Sequence, residues 1–228
     1  MVWSDDRNGN YDIFCSCSTD GGANWSASVM ANDGAAGDAQ SPSLAVAGGI
    51  LYAAWCDDSD GNYDVFCSLS TDDGATWSTA EKLNTGTTGD ATAPAVAVEG
   101  ITVYVAWADA RTDSGDIYFR HSTDGGSNWD PEKEVNTDTG TALQSAPSLV
   151  ASGANVYVVW QDFRDSDANI YFAESTNSGI SFGPEVRIDD DVTSAVQSAP
   201  AVSIQGSAVI VAFQDMRNTD ADIYFTRK

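Results

Sequence analysis

Ser18-Thr19-Asp20-Gly21-Gly22-Ala23-Asn24-Trp25 is the stretch that decides the fold, because the chain repeats it. It returns at 70–77 as Ser-Thr-Asp-Asp-Gly-Ala-Thr-Trp and at 122–129 as Ser-Thr-Asp-Gly-Gly-Ser-Asn-Trp. A fourth copy at 175–182 has Asn177 in place of Asp and Phe182 in place of Trp. The closing aromatic residues are 52, 52 and 53 residues apart. A fixed period of this size predicts one array of a repeated supersecondary unit.

Each repeat contains four short stretches of strand-like composition. The first follows a proline, the second is the most apolar, the third begins at Asp or Asn, and the fourth follows the repeated motif. No stretch shows helical periodicity over three turns. Four-stranded antiparallel units repeated radially are the blades of a β-propeller, so the sequence predicts an all-β propeller.

The repeated Ser-x-Asp-x-Gly-x-x-Trp resembles the Asp-box, or BNR repeat, of the sialidase-like propellers. Three copies match fully, and the resemblance covers essentially the whole chain. It implies that the box lies between the third and fourth strands, on the rim opposite the ligand face. We interpret the box as structural, with Gly in a tight turn, Asp and Ser accepting from backbone donors, and Trp as an anchor.

The aromatic residue that ends the second strand occurs five times, as Trp3, Trp55, Trp107, Trp160 and Phe213. We therefore predict a single domain over 1–228 with blade repeats at about 1–37, 38–89, 90–142, 143–195 and 196–228. The first repeat lacks a first strand and the last lacks a fourth. The alternatives are that the chain is a piece of a larger propeller, or that copies associate through unpaired edges.

The composition favours some partners and excludes others. The formal net charge is −24, and 28 of the 34 acidic residues are Asp. Such a polyanion is repelled by nucleic acid and by anionic membrane surfaces. No apolar run approaches the ~20 residues of a membrane span. Repeat sequence begins at Met1, so we expect no signal peptide in this chain, although the resemblance implies an extracellular or cell-surface protein.

The four cysteines, Cys15, Cys17, Cys56 and Cys67, lie in the first two repeats and show no CxxC metal spacing. We interpret them as small core or strand residues. Cys56 and Cys67 are on adjacent strands, so they are the pair to examine for proximity. The single His121 precedes a box, and we expect it to be exposed.

The loop after the second strand is the main candidate for ligand binding, because propeller topology places it opposite the boxes. It recurs with Asp and Arg two residues apart, and the loop entering each first strand adds Gln or Thr at what we take to be matching positions. The predicted ligand-binding residues are Asp5, Arg7, Gln40, Asp57, Thr92, Asp109, Arg111, Gln144, Asp162, Arg164, Gln197, Asp215 and Arg217. In blade two Ser59 replaces the arginine.

Two interpretations of this ring stay open. Arg suits carboxylates, so the ring could hold a sugar carboxylate as in the resembled sialidases. The regular Asp–Arg spacing favours instead a structural lattice that links neighbouring blades. The resembled sialidases also need a Tyr with a Glu, an Asp acid and an Arg-Ile-Pro segment, which is absent. The recurring Tyr118, Tyr171 and Tyr224 are typical of core, and we assign no catalytic residue.

A calcium site is a further hypothesis. Asp58, Asp60, Asn62 and Asp64 alternate oxygen side chains around Gly61. Calcium takes six to eight oxygens from loops of this kind. The other interpretation is an Asx-rich turn in solvent.

The leading functional hypothesis is a non-catalytic binding or interaction module of a secreted or surface protein, with a glycan or protein ligand. Phe163 lies in a ligand-face loop and could stack on a sugar. One alternative is a sialidase-like glycoside hydrolase relative, active or decayed. Another is a structural array that self-associates through its incomplete terminal blades.

Overall fold

The protein is described here by a computed structural model that covers residues 1–34 and 36–228, and the regular secondary structure there is all β-strand. Blade one consists of β1 (Val2–Asp5), β2 (Asp12–Cys15) and β3 (Val29–Met30). Blade two consists of β4 (Ala39–Ala47), β5 (Ile50–Asp57), β6 (Asp64–Ser70) and β7 (Glu81–Lys82). Blade three consists of β8 (Ala91–Glu99), β9 (Thr102–Asp109), β10 (Asp116–Ser122) and β11 (Lys133–Glu134).

Blade four consists of β12 (Gln144–Ser152), β13 (Asn155–Asp162), β14 (Asn169–Ser175) and β15 (Val186–Arg187). Blade five consists of β16 (Gln197–Gln205), β17 (Ala208–Asp215) and β18 (Asp222–Arg227). Every sheet is an antiparallel meander in chain order, and β4, β8, β12 and β16 contact one another in sequence as the inner strands. The predicted all-β propeller with five blade repeats is confirmed. Among the described residues, no helix is long and apolar enough to span a membrane.

The core lies between blades, because each sheet is apolar on both faces. On one face of blade three, Val105 and Trp107 pack with Val65 and Leu83 of blade two. On its other face, Phe119 belongs to the cluster shared with blade four. Side chains alternate across a strand, so the central strands of blades two, three and four each contribute to two interfaces. This stacking fixes the loops at each end of the blades relative to one another.

The inner strands bend at a bulge that the sequence did not reveal. A left-handed residue precedes the proline in each, at Ser41, Ala93, Ala146 and Ala199, with φ of 49–52°. A non-glycine residue in this region costs roughly 1 kcal/mol or more, so the packing around the bulge must offset it. The strand pairing shifts at the same place in all four blades.

The strand register corrects the predicted Gln and Thr ring. Gln144 and Gln197 pair directly with Asp162 and Asp215, whereas Ala39 and Ala91 occupy that position in blades two and three. Gln40 and Thr92 lie one residue later, opposite Cys56 and Ala108. The prediction of matching positions is therefore wrong. A one-residue offset places side chains on opposite faces of the strand.

The Asp-box has the predicted local structure. In blade three, Ser122 Oγ accepts from Gly126 N at 2.8 Å, and Asp124 Oδ1 accepts from Ser122 Oγ and from Asn128 N, each at 2.8 Å. In the fourth copy Asn177 Oδ1 accepts the equivalent two bonds. Hydrogen bonds from Asn128 lower the pKa of Asp124 to about 2. The amide replaces the carboxylate because its oxygen accepts the same two bonds, and its Nδ2 donates to Ser181 Oγ where Asp124 accepts from Asn128 Nδ2.

In blades one, two and three a buried carboxylate–amide pair ties the third strand to the segment after the fourth or last strand. Asn136 Nδ2 donates to Asp116 Oδ1 at 2.9 Å, and Asn136 Oδ1 accepts from Ile117 N at 2.7 Å. Blades one and two repeat the pair as Asp12–Asn32 and Asp64–Asn84. Blade four exchanges the two residue types, with Asn169 on the strand and Asp189 accepting from Ile170 N at 2.9 Å. The pair fixes the start of the third strand, and with it one end of the loop between the second and third strands, in these blades.

His121 is buried, which contradicts the predicted exposure. It is 2% exposed and lies against the rings of Tyr104 and Phe119. The alternation of β10 puts it on the same face as Phe119, toward blade four. Burial and Lys133 lower the His121 pKa. Its contact with Asp130 at 3.1 Å does not reverse this, because that carboxylate is 53% exposed and its attraction is screened.

The cysteines are strand and core residues, as predicted. Cys15, Cys56 and Cys67 are buried and Cys17 is half-buried, all four as free thiols. Cys56 pairs across the strands with Val65, not with Cys67. The Sγ atoms of Cys15 and Cys17 lie 3.8 Å apart.

Candidate functional site

The Asp–Arg loops lie at the end of the blades opposite the boxes. In blade four, Asp162 pairs with Asn169 at one end of the β13–β14 hairpin, and Val156 pairs with Ser175 of the box at the other. The same arrangement holds in blade three. We call the end that carries the Asp–Arg loops the loop face.

The arginine of blade four is held on three sides. Its Nε and Nη2 donate to the two oxygens of Asp162 at 3.0 and 2.6 Å, and its Nη1 donates to Glu185 at 2.8 Å. The Cζ atom lies 4.3 Å from the centre of the Tyr171 ring. Asp162 is fully buried and the Arg164 side chain is 18% exposed. The guanidinium is thus a buried fork matched to carboxylates of its own chain.

The arrangement recurs with local changes. In blade three Arg111 contacts Asp109 and Glu132 and lies 4.2 Å from the Tyr118 ring. In blade five Arg217 bonds Asp215 and also Asp190, which follows the fourth strand of blade four. In blade one Arg7 bonds Asp5 and Ser28 over the Phe14 ring, and it is 45% exposed. The tyrosines predicted as core serve as platforms for these guanidinium groups.

The contacts between blades correct the interpretation of the Asp–Arg spacing as a lattice that links neighbouring blades. Each pair of Asp and Arg two residues apart lies within one blade, although Arg217 also bonds Asp190 of the preceding blade. Glu185 makes the link, because it also accepts from Thr137 N and Oγ1 of the preceding blade. Glu132 accepts from Thr85 in the same way. Burial alone would raise the pKa of Glu185, but the bonds from Arg164 and Thr137 outweigh it and lower that pKa.

The structure buries six of the thirteen predicted ligand-binding residues. Asp57, Asp109, Asp162 and Asp215 are at most 5% exposed. Gln144 is 1% exposed and donates to Asp162 at 3.3 Å, and Gln197 is fully buried and donates to Asp191 at 3.2 Å. Arg7 is the exposed member of the ring, and Asp5, Gln40, Thr92, Arg111, Arg164 and Arg217 are half-buried. Ligand binding by this ring stays a prediction.

The residues of the calcium hypothesis take part in other contacts. Asp64 is 1% exposed and accepts from Asn84 and from Lys82 Nζ. Asn62 donates to Gly89 O at 3.2 Å, and Asp58 accepts from Asp38 N at 2.6 Å. Over residues 1–34 and 36–228, no three Asp, Glu, His or Cys side chains form a group suited to a metal. Calcium binding stays a prediction that rests on Asp58, Asp60, Asn62 and Asp64.

The exposed part of the loop face is chemically uneven, which the sequence reasoning missed. In blades four and five it presents Leu143, Val196 and Met216 at 38–42% exposure, together with half-buried Phe163. Phe163 N donates to Leu143 O, and Met216 N donates to Val196 O, so the two loops of each blade present these side chains together. The equivalent loops of blade two carry Asp38 and Asp58. The sequence signal for this apolar patch was the apolar residue that comes just before each of the last two inner strands.

Residues 4–219 match the BNR repeat-like domain family. The chain belongs to that family. No curated protein sequence matches it significantly. Because the family match covers nearly the whole chain, the resemblance carried by the Asp-boxes is confirmed.

Solved structures share the fold at low sequence identity. An α-L-arabinanase of Penicillium chrysogenum complexed with arabinobiose superposes with a TM-score of 0.63 at 18% identity, over 83% of this chain and 62% of that one. A Trypanosoma rangeli sialidase mutant with trans-sialidase activity gives 0.60 at 14%, over 82% and 36%. A Dyadobacter fermentans protein of unknown function gives 0.71 at 14%, over 96% and 68%. The chain thus spans less than two thirds of the arabinanase and about a third of the sialidase.

Proposed function

We propose that this chain is a non-catalytic binding module of a secreted or surface protein, which takes a glycan or protein ligand on the loop face. The observation that carries the proposal is that the loop-face arginines already have partners within the chain. In blades three, four and five each guanidinium is bonded to carboxylates of its own chain and stacked on an aromatic ring. A sugar carboxylate would have to displace these partners, so a sialidase-type clamp is disfavoured.

The exposed loop tips are better suited to recognition. The loop tips of blades four and five form an apolar side of the loop face, with Leu143, Phe163, Val196 and Met216. The equivalent loops of blade two are acidic and carry Asp38 and Asp58. Apolar anchors beside polar groups are typical of binding surfaces. The likeness to an arabinanase complexed with arabinobiose supports a glycan as one ligand class.

A glycan array, read with and without calcium, tests this proposal. We expect binding by the native chain, weaker binding by Phe163→Ala, and unchanged binding by Ile180→Ala. Ile180 is a matched control because it is 62% exposed in the box of the same blade, at the opposite end. Binding lost equally in both variants would place the ligand elsewhere. A blank array would remove the glycan class and leave the protein ligand, to be tested by cross-linking from the loop face.

A glycoside hydrolase relative is the second candidate, favoured by one carboxylic acid. Glu134 is exposed on β11, yet partial desolvation raises its pKa and the charges of Asp116 and Asp113 raise it further, so it is the carboxylic acid to test. A general acid of a glycosidase needs such a raised pKa. If this candidate is right, the chain releases sugar from arabinan or a sialoside, and Glu134→Gln abolishes the release. Equal release by the native chain and the variant would exclude Glu134 as the acid.

A further inference from the structure

Blade two lacks both the arginine and the glutamate of the loop-face cluster. Ser59 takes the place of Arg111 and Arg164, and Ala80 takes the place of Glu132 and Glu185. The two positions face each other in blades three and four, where Arg111 bonds Glu132 and Arg164 Nη1 bonds Glu185 at 2.8 Å. Both long side chains are therefore replaced by short ones at the same spot.

The replacement leaves a cavity of about 180 Å³ at the junction of blades one and two. Its lining consists of Asp33, Trp55, Asp57, Ser59, Asp60, Phe66 and Ala80. Asp57 is 5% exposed, and its Oδ1 accepts from Ser59 N at 2.8 Å. Drug-sized ligands need pockets of roughly 300 Å³ or more, so this cavity suits a small group or the tip of a side chain.

In blade five the equivalent place is occupied by the guanidinium of Arg217. Arg217 Nη2 bonds Asp215 at 2.6 Å and its Nη1 bonds Asp190 at 2.8 Å. Its Cζ lies 4.2 Å from the centre of the Tyr224 ring. The equivalents in blade two are Asp57, Asp33 and Phe66, and all three line the cavity. Two carboxylates and an aromatic ring thus surround the place that a guanidinium occupies elsewhere in the chain.

We propose that this blade-two cavity binds a guanidinium group from outside the chain, carried by an arginine side chain or by a small guanidino compound. A planar guanidinium can use two carboxylates and stack on a ring at once, which a compact ammonium cannot. A metal ion fits less well, since no described group of three ligating side chains forms there. The inference does not depend on the proposed function.

Access and long-range charge support the same ligand. Ser59, Asp60 and Asp33 are exposed, so the cavity opens to solvent on the loop face above a buried Asp57. The net charge of −24 attracts cations toward the surface and raises their local concentration. The four other blades hold the group 4.1–4.3 Å from an aromatic centre, so the cavity reuses a geometry that the fold already builds.

An NMR titration of the full chain with ethylguanidinium tests the proposal, at constant ionic strength and below denaturing concentrations. We expect saturable shifts of the Ser59 amide and the Trp55 indole signal, with a dissociation constant of ~1 mM for so small a ligand. Ethylammonium should bind about tenfold more weakly because it lacks the planar fork. N-acetylarginine amide and an arginine-containing peptide distinguish the two sources, since tighter binding of the peptide identifies a protein partner.

Two variants localise the effect. Ser59→Arg with Ala80→Glu copies the cluster of blades three and four, so it should fold and lose the binding. Arg217→Ser leaves Asp190, Asp215 and Tyr224 around a second cavity, so it should add a second site of similar affinity. Absence of shifts at Ser59, equal affinity for ethylammonium, or unchanged binding in the Ser59→Arg/Ala80→Glu variant would each overturn the proposal.

Discussion

Replacing Arg164 by Gln should destabilise the protein much more than the same change at Arg7. Arg164 is 18% exposed and neutralises Asp162, which is fully buried, and Glu185, which is 6% exposed. Removing one partner of a buried ion pair costs about 3–5 kcal/mol, because the remaining charge is left without compensation. The partial exposure of Arg164 lets water screen the carboxylates, so we expect about 2–4 kcal/mol. For a chain of this size that corresponds to a fall in Tm of roughly 4–16 °C.

Arg7→Gln is the matched control. Arg7 also bonds its Asp two residues earlier and also stacks on a ring, with Cζ 4.1 Å from the Phe14 centre. It is 45% exposed, its Asp5 partner is 24% exposed, and its third partner is the neutral Ser28. Exposed pairs are worth less than about 1 kcal/mol. The difference between the two variants therefore isolates the cost of the buried carboxylates.

Urea unfolding at neutral pH measures both free energies. Adding Glu185→Ala to Arg164→Gln should recover part of the loss, because one of the two stranded carboxylates is removed, and a double-mutant cycle gives the coupling. Equal losses below about 1 kcal/mol for Arg164→Gln and Arg7→Gln would refute the reasoning. The loop-face arginines would then be dispensable to the fold and available to a ligand.

Four further predictions concern other parts of the molecule. Because the pKa of His121 is lowered in the folded protein, the unfolded chain binds the proton at a higher pH than the folded chain does. The native protein should therefore lose stability as pH falls below about 6.5, and His121→Phe should lose less. Asp124→Asn should fold and should remove part of the stability loss between pH 4 and pH 2, because the lowered pKa of Asp124 gives stability that disappears as pH falls through about 2. Ile223 and Phe225 are 75% and 76% exposed on the outward face of blade five, so the native chain should have a solution mass above one chain and Ile223→Ser/Phe225→Ser should be monomeric. If the blade-two loop holds calcium, calcium should raise the Tm and chelator should lower it.

Each of these measurements has a defined contrary outcome. A pH slope of stability that is the same for native chain and His121→Phe would mean that the imidazole charges freely when folded. An unchanged acid transition in Asp124→Asn would remove the box carboxylates from the acid unfolding. Val192→Ser, at a residue that is 97% exposed, controls for the loss of surface apolar area, and the same mass change there would contradict a specific blade-five contact. A Tm that does not respond to calcium would refute the metal site.

The fold was predictable because the period and the box depend on local chemistry. The side chains of Ser122 and Asp124 bond within their own turn, to each other, Gly126 and Asn128, so the spacing of these residues carries the structural signal. The burial of His121 was also predictable, because it alternates with Ile117 and Phe119 on one face of β10. We predicted exposure because His121 immediately precedes a box. The Gln ring failed because its members are not aligned: Gln40 and Thr92 lie two residues before a proline, whereas Gln144 and Gln197 lie three residues before one. That difference was already present in the sequence, and the bulge is common to all four blades.

The candidate site was harder to predict because its partners are distant in sequence. Arg164 meets Glu185 and Glu185 meets Thr137, which lie 21 and 48 residues apart respectively. The repeat did hold a clue, since Glu occurs 21 residues after Arg111 and after Arg164, and Ala80 occurs 21 residues after Ser59. The arginine and the glutamate are present or absent together in blades two, three and four. The apolar loop tips such as Leu143 carry no such pattern, so only the structure brings them together.

The most direct test of the proposed binding role is a glycan array read twice, first for retained protein and then for released sugar. The account predicts that the native chain is retained on some glycans through the loop face and releases no sugar from them over long incubation. Release of sugar that stops with Glu134→Gln would contradict it and would make this chain a glycoside hydrolase.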